Sequence, residues 1–297
     1  MSIAPAPPDT AGQGWLARRP LVSYFLIAFA FTWVLLFSVL LSEDGLGLLP
    51  YAVSPTLARL IVPLSLMGPS LAALLVTAAT EGSSGIGRLL RRIVRWRVGV
   101  RWYLFIFVGL PAVMVLGTLV RPGALESFDL SAFPPADEYL LAFAFMMTLG
   151  GPLFEEPGWR GFALPRPQRS YGPLLGGFIL GSLWALWHLP AFLVPQKLPP
   201  SGTVLDFVRF TLALIALTYI IQWIVNHTRG SVLMAILTHA SWNTFYAALV
   251  KLFPAPAVID SYLNLTVAAW AAAGVIIALT RGRLGYQPEL AASARGL

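Results

Sequence analysis

The stretch FEEPGWRGFALP (residues 154–165) places two adjacent carboxylates, Glu155 and Glu156, directly after an apolar run. Only 11% of the residues in this chain of 297 are charged, so a pair of acids in such surroundings is unusual. A charged side chain inside a bilayer costs roughly 2.5–3.5 kcal/mol on insertion scales, which makes function the default hypothesis. Two neighbouring carboxylates also repel each other unless a cation or a shared proton relieves them. Arg160, four residues after Glu156, shares its helix face and is predicted to pair with it, which leaves Glu155 for chemistry.

The composition around this stretch indicates a membrane protein. Hydrophobic residues make up 57% of the chain, and the charged fraction is less than half of the roughly 25% that is typical of soluble domains. Cysteine is absent, which excludes disulfides, thiolate nucleophiles and iron–sulfur ligation. Because one helical span needs about 20 apolar residues, we predict an all-α, polytopic membrane protein with about eight transmembrane helices.

The predicted spans follow one another along most of the chain. They are residues 21–41, 57–80, 103–120, 138–162, 176–194, 207–226, 231–250 and 261–280. The sequence therefore predicts a single transmembrane domain at 21–280, between a disordered cytoplasmic tail at 1–20 and a second cytoplasmic tail at 281–297.

The basic residues are distributed unevenly between the connections. Of the 20 Lys and Arg residues, 14 fall in one set of alternating connections and 3 in the other, and the net charge is +7. This asymmetry follows the positive-inside rule and predicts that both termini are cytoplasmic. The arginine-rich segment at residues 88–101 is interpreted as a cytoplasmic loop on anionic lipid rather than as a nucleic-acid site, so membrane lipids are expected partners and nucleic acid is not.

Two of the three histidines lie within predicted spans. His188 follows Trp184 by four residues and His239 precedes Asn243 by four, so each pair shares a helix face. A lone histidine in a helix is more often a packing residue with an interhelical hydrogen bond. Here three separate helices each carry a polar group, which points to one common site. The third histidine, His227, falls in a short connection and receives no role.

The types of residue suggest a reaction. A carboxylate and a histidine together can deprotonate water and pass the proton to a leaving amine. A second histidine and an asparagine amide can donate hydrogen bonds to an oxyanion, each worth about 3–4 kcal/mol in a well-studied case of acyl transfer. This combination suits hydrolysis of an amide bond.

The three motifs together resemble a known family. Glu155-Glu156-x-x-x-Arg160, an aromatic-x-x-x-His motif and a His-x-x-x-Asn motif occur in the order found in the CAAX prenyl endopeptidases and bacteriocin-processing proteins, the CPBP or Abi family. The resemblance covers about residues 138–247. Trp184 stands where the second motif of the family usually has Phe.

This resemblance implies an eight-helix intramembrane endopeptidase with its protease core at about 138–250, acting on a peptide or lipidated peptide. It also implies a role for each motif residue: water activation by Glu155 and His188, an oxyanion hole from His239 and Asn243, and support of the site by Glu156, Arg160 and Trp184. The expected location is the cytoplasmic membrane of a bacterium.

The involvement of a metal is left open by the residues. Glu155, His188 and His239 could form a zinc site with two histidines, one glutamate and an open position for water. The sequence contains no His-Glu-x-x-His motif, and a reaction without a cofactor is favoured.

Other functions are compatible with polar groups in a membrane. A carrier would use the same groups as a proton relay, and a peptide-binding or bacteriocin-immunity protein would hold a peptide without cleaving it. Tryptophans near the site either line an apolar cavity for a lipid tail or pack in the core; they are Trp159, Trp184, Trp187 and Trp242.

Overall fold

The computed structural model describes residues 14–193, 203–255 and 261–288, and these residues form helices and connections without a β-strand. Residues 1–13 of the predicted tail at 1–20, residues 289–297 of the predicted tail at 281–297, and residues 194–202 and 256–260 lie outside the described residues. The α-helices are α1 (Trp15–Arg18), α2 (Pro20–Leu40), α3 (Pro55–Ser65), α4 (Gly68–Ile93), α5 (Val100–Leu104), α6 (Leu110–Leu119), α7 (Ala124–Ser127), α8 (Ala136–Leu149), α9 (Pro152–Glu156), α10 (Pro165–Trp187), α11 (Leu189–Leu193), α12 (Val204–His227), α13 (Val232–Leu252) and α14 (Ser261–Leu279).

Three short segments complete the helical chain. Two are π-helical, Phe105–Gly109 and Pro157–Ala163, and one is a 3₁₀ turn, Leu130–Ala132. The first π-helical segment joins α5 to α6 as one continuous element, Val100–Leu119. At the N-terminus, α1 occupies the end of the tail that the sequence predicts to be disordered.

The fold is that of an all-α polytopic membrane protein. Within the described residues, four helical elements are long and apolar enough to cross a membrane: Pro20–Leu40, Val100–Leu119, Val204–His227 and Tyr262–Leu279. A fifth is possible if α3 and α4, which meet at a bend of 45°, form one broken span. By length and composition the described residues thus give four or five spans, and the predicted number of eight is not confirmed.

The missing spans have identifiable causes. The predicted span at 138–162 is divided at Gly150 and Gly151, where Gly151 adopts a φ of 117° that favours glycine. Helices α10 and α13 are long enough but fall short in hydropathy. His239 and Asn243 of the predicted site lie within α13 and lower its hydropathy, whereas α10 ends at Trp187, one residue before His188.

Helix α12 lies at the centre of the bundle. Each of the four candidate spans contains an apolar stretch of 18 residues. In α12, 56% of this stretch is buried inside the protein, whereas the buried share in the other three spans is 28–33%. Small residues allow close packing against it, since a Cβ at Gly181 of α10 would lie 2.8 Å from the Cα of Ile215. The central position of α12 brings its Thr218 next to Arg160 of the π-helical segment.

The helix that begins with α9 continues through Pro157 without a break. Glu156 and Pro157 keep right-handed helical angles, and the hydrogen bonding changes there from α to π. Proline has no backbone N–H to donate, so the α pattern cannot continue unchanged through this residue. The segment Pro157–Ala163 also lies tightly on α4, because a Cβ at Gly158 would be 2.5 Å from the carbonyl atoms of Pro69.

Arg92, in the last turn of α4, holds three backbone segments together. Its Nε donates to the carbonyl of Gly230 at 2.7 Å, its Nη1 to that of Gly161 at 2.6 Å and its Nη2 to that of Arg160 at 3.1 Å. Two of these acceptors belong to the π-helical segment and the third to the turn before α13. One side chain therefore fixes two of the elements that carry the predicted site relative to α4.

We expect Arg92→Met to destabilise the protein by about 2–4 kcal/mol, because each hydrogen bond from a charged donor contributes roughly 1.5–3 kcal/mol and water replaces part of the loss. The midpoint of thermal unfolding in detergent measures the effect. Arg91→Met is the matched control, since Arg91 is the preceding residue and is exposed. Equal midpoints for the two variants would contradict this role of Arg92.

Candidate active site

Two adjacent glutamates at the end of α9 are both buried. Glu155 is 3% exposed, and Glu156 and Arg160 are fully buried. An isolated buried charge is strongly destabilising, so each of these groups requires partners. The partners of the two glutamates differ, and the difference gives each carboxylate a separate role.

Glu156 is compensated from two sides. Arg160 Nη1 donates to Glu156 Oε1 at 3.0 Å, which is the pair that the spacing in the sequence predicts. The same oxygen is 2.9 Å from His239 Nδ1 on α13. Arg160 Nη2 donates to Thr218 Oγ1 on α12 at 3.1 Å. This buried network ties α9, the π-helical segment, α12 and α13 together.

Glu155 has a neutral partner instead. Trp184 Nε1 donates to Glu155 Oε2 at 2.8 Å, and no hydrogen bond to Glu155 Oε1 is seen among the described residues. That second oxygen lies beside Gly151, where a Cβ would collide with it. Gly151 therefore leaves room for the carboxylate as well as breaking the helix.

Trp184 is the common neighbour of the charged groups. The guanidinium carbon of Arg160 lies 4.1 Å from the centroid of its ring, within the range of a cation–π interaction. The ring of His239 meets it edge to face at 5.1 Å. A phenylalanine at this position would keep both of these contacts but would lack the N–H that Glu155 accepts.

His188 lies at the C-terminal end of α10 and is half-buried. Its Nδ1 is 2.8 Å from the carbonyl oxygen of Trp184, and its ring packs edge to face against Trp187 and Phe210. In the described residues no hydrogen bond joins His188 to Glu155; the two are linked through Trp184, whose ring centroid is 6.0 Å from that of His188. Because Nδ1 donates to a carbonyl, Nε2 of the neutral ring is available to accept a hydrogen bond.

Asn243 lies one turn beyond His239 on α13 and is half-buried. Its amide nitrogen is 3.8 Å from Met146 Sδ, a weak acceptor that does not compete with a stronger ligand. The structure thus brings six of the seven predicted residues into contact with at least one other, His188 through the carbonyl oxygen of Trp184, and places Asn243 one helical turn from His239.

The alternative zinc set of Glu155, His188 and His239 stays a prediction. In the part of the chain that the structure describes, no group of three or more His, Asp or Glu side chains is arranged to hold a metal ion. The Nδ1 atoms of His188 and His239 face the Trp184 carbonyl and Glu156, and Glu155 accepts from Trp184.

The four tryptophans near the site are buried in the core. Trp159, Trp184, Trp187 and Trp242 are at most 4% exposed, and Trp159 meets Trp187 edge to face at 5.8 Å. Their burial favours packing in the core over the lining of an apolar cavity for a lipid tail. An apolar cavity of about 230 Å³ lies instead between α4 and α9, where Phe154 and Pro157 form part of its lining.

Comparison with known proteins gives two related matches. Residues 137–245 match the type II CAAX prenyl endopeptidase Rce1-like family. The chain is also similar to the CAAX prenyl protease 2 of Methanococcus maripaludis, with 24% identity over 223 residues that cover 73% of this chain and 80% of that protein. The first match spans all three sequence motifs.

The fold and these matches define an all-α protease that is integral to the membrane. Within that class, both matches support a relationship to the CPBP family, which comprises the CAAX prenyl endopeptidases and the bacteriocin-processing proteins.

Proposed function

We propose that the protein is an intramembrane endopeptidase that hydrolyses a peptide bond of a membrane-associated, CAAX-like substrate, with Glu155 activating the water. The supporting observation is that the two buried glutamates have different partners. The charge of Glu156 is compensated by Arg160, and one of its oxygens is occupied by two partners. Glu155 accepts one hydrogen bond from a neutral indole and keeps the oxygen beside Gly151 for a water.

The first chemical step transfers a proton from water to Glu155. The neutral ring of His188 donates from Nδ1 to a carbonyl, so its Nε2 is an acceptor that can hold the second hydrogen of the same water. The water oxygen bonds to the carbonyl carbon of the scissile peptide. When the tetrahedral intermediate collapses, the carbon–nitrogen bond breaks and the proton passes to the leaving amine.

The negative oxygen of the intermediate needs donors on its other side. Asn243 offers its amide, and His239 lies one turn away on the same helix. Because Nδ1 of His239 faces the carboxylate of Glu156, its Nε2 carries a hydrogen only when the ring is an imidazolium. In the proposed role His239 therefore acts as a cation, which complements the oxyanion. Each such donor is worth about 3–4 kcal/mol in the best-studied case.

The proposed substrate class is a prenylated or otherwise lipidated peptide. The relative in Methanococcus maripaludis is named for prenyl protease activity, and the present chain is similar to it over 223 residues. A lipid anchor would concentrate such a peptide in the membrane that contains the site. A bacterial cytoplasmic membrane with both termini on its cytoplasmic face is proposed from the arginine distribution and the composition.

The proposal is tested with purified protein and a farnesylated CAAX peptide, beside the same peptide without the lipid. We expect cleavage of the lipidated peptide, a fall of at least about 100-fold in His188→Ala, and no effect of a strong zinc chelator. Loss of activity with the chelator would favour the zinc alternative. Tight binding without cleavage, unchanged in His188→Ala, would favour a peptide-binding or immunity protein.

A further inference from the structure

A second cavity lies at the end of α12, away from the carboxylate–histidine cluster. It has a volume of about 270 Å³ and is lined by Arg101, Trp102, Phe105, Trp223 and His227. Thr218, which touches the cluster through Arg160, precedes His227 by nine residues, or about 14 Å along the helix. The cavity is therefore a separate feature, and the proposed protease reaction does not use it.

Aromatic rings form the walls of this cavity. Trp102 meets Trp223 edge to face with ring centroids 4.8 Å apart, and Phe105 meets Trp223 edge to face at 5.2 Å. The His227 ring lies 5.4 Å from that of Trp102. Contacts of this kind fix the rings relative to one another, so the walls are built before any ligand binds.

Two polar side chains complete the cavity. The guanidinium carbon of Arg101 lies 5.1 Å from the Trp102 ring, and no ion pair to Arg101 is seen in the described residues. His227 Nδ1 is 2.8 Å from the carbonyl oxygen of Trp223, which orients the ring and leaves Nε2 for a ligand. A cation and an oriented imidazole beside aromatic walls suit a ligand that is anionic at one end and apolar at the other.

The position in the fold identifies the source of such a ligand. The candidate span Val100–Leu119 begins at this cavity, and the candidate span Val204–His227 ends there. The cavity thus lies at the boundary between membrane and water, where tryptophans commonly sit at the level of the lipid headgroups. The neighbouring arginines Arg97 and Arg229 are joined by a hydrogen bond from Arg229 Nη2 to the carbonyl of Arg97, which keeps further positive charge nearby.

We propose that this cavity binds the headgroup of an anionic phospholipid. Arg101 and His227 hold the phosphate, and Trp102, Phe105 and Trp223 contact the glycerol and the first methylenes of the chains. The positive-inside rule explains why arginines gather on one side of the membrane, but it does not explain a preformed aromatic cavity with one of them at its edge.

Native mass spectrometry of the full-length protein in detergent tests the site. We expect retention of phosphatidylglycerol in preference to phosphatidylcholine with the same chains, and a five- to tenfold weaker retention in Arg101→Gln, since an arginine–phosphate contact is charge-assisted. Arg101 is exposed, so this change should leave the fold intact. Arg91→Gln is the control, because it removes the same charge from the same segment at an exposed position that does not line the cavity.

Three results would overturn the proposal. Equal weakening in Arg101→Gln and Arg91→Gln would show diffuse attraction by the basic surface. Equal retention of phosphatidylcholine would show that the phosphate is not recognised as an anionic headgroup. Displacement of the lipid by equimolar glycerol phosphate would show a site for a soluble phosphate, in which the aromatic walls and the lipid chains contribute nothing.

Discussion

The substitution Glu155→Gln is expected to slow peptide cleavage by about 10²–10⁴-fold, which is the range for loss of a positioned general base. Glutamine has nearly the same shape, and its carbonyl oxygen can still accept the hydrogen bond from Trp184 Nε1. The substitution therefore removes the basic group and retains the contact. Initial rates with the farnesylated CAAX peptide measure the loss, and the thermal unfolding midpoint verifies that the fold is retained.

Glu138→Gln is the matched control for this experiment. Glu138 lies in the first turn of α8 and is exposed, so its neutralisation should change neither the rate nor the unfolding midpoint. If Glu155→Gln kept more than a tenth of the wild-type rate, the role of base would have to move to another group.

The second large effect is expected from the buried network around Glu156. Arg160→Met removes the cation and leaves the carboxylate with His239 as its remaining partner in this network. Breaking a buried ion pair from one side destabilises a protein by about 3–5 kcal/mol, because the other charge stays buried without compensation. The double variant Glu156→Gln/Arg160→Met should recover part of this loss, since both charges are then absent.

Thermal unfolding in detergent compares the wild type, the two single variants and the double variant. Arg169→Met serves as the control, because Arg169 is exposed on α10. A midpoint for Arg160→Met equal to that of Arg169→Met would mean that the ion pair contributes little. A double variant less stable than both single variants would mean that the two side chains stabilise the fold independently.

The sequence predicts the class of fold and the main motifs for physical reasons. Low charge and long apolar runs indicate a membrane protein, and a spacing of four residues places Glu156 and Arg160 on one helix face whatever surrounds them. Contacts between helices are a different matter, because spacing within a helix does not encode how closely two helices approach. The expected partnership of Glu155 with His188 is thus seen as two separate links to Trp184.

Some participants carry no signal that the sequence reveals. Thr218 is a neutral hydroxyl in an apolar helix, and it becomes important only because Arg160 reaches it. Arg92 looks like one more arginine of a basic loop until its three carbonyl acceptors are seen. The predicted number of eight spans is not confirmed, in part because His239 and Asn243 lower the hydropathy of α13, on which such counts depend.

The charges of the buried cluster also bear on how the products leave. With both carboxyl groups ionised, His188 neutral and His239 in its proposed cationic state, the charges of Glu155, Glu156, Arg160 and His239 cancel. The peptide bond that enters is neutral, but one of the fragments formed ends in a new carboxylate next to Glu155. Like charges at close range in a medium of low dielectric constant repel strongly, so that fragment is expelled and should be only a weak competitive inhibitor of the next turnover.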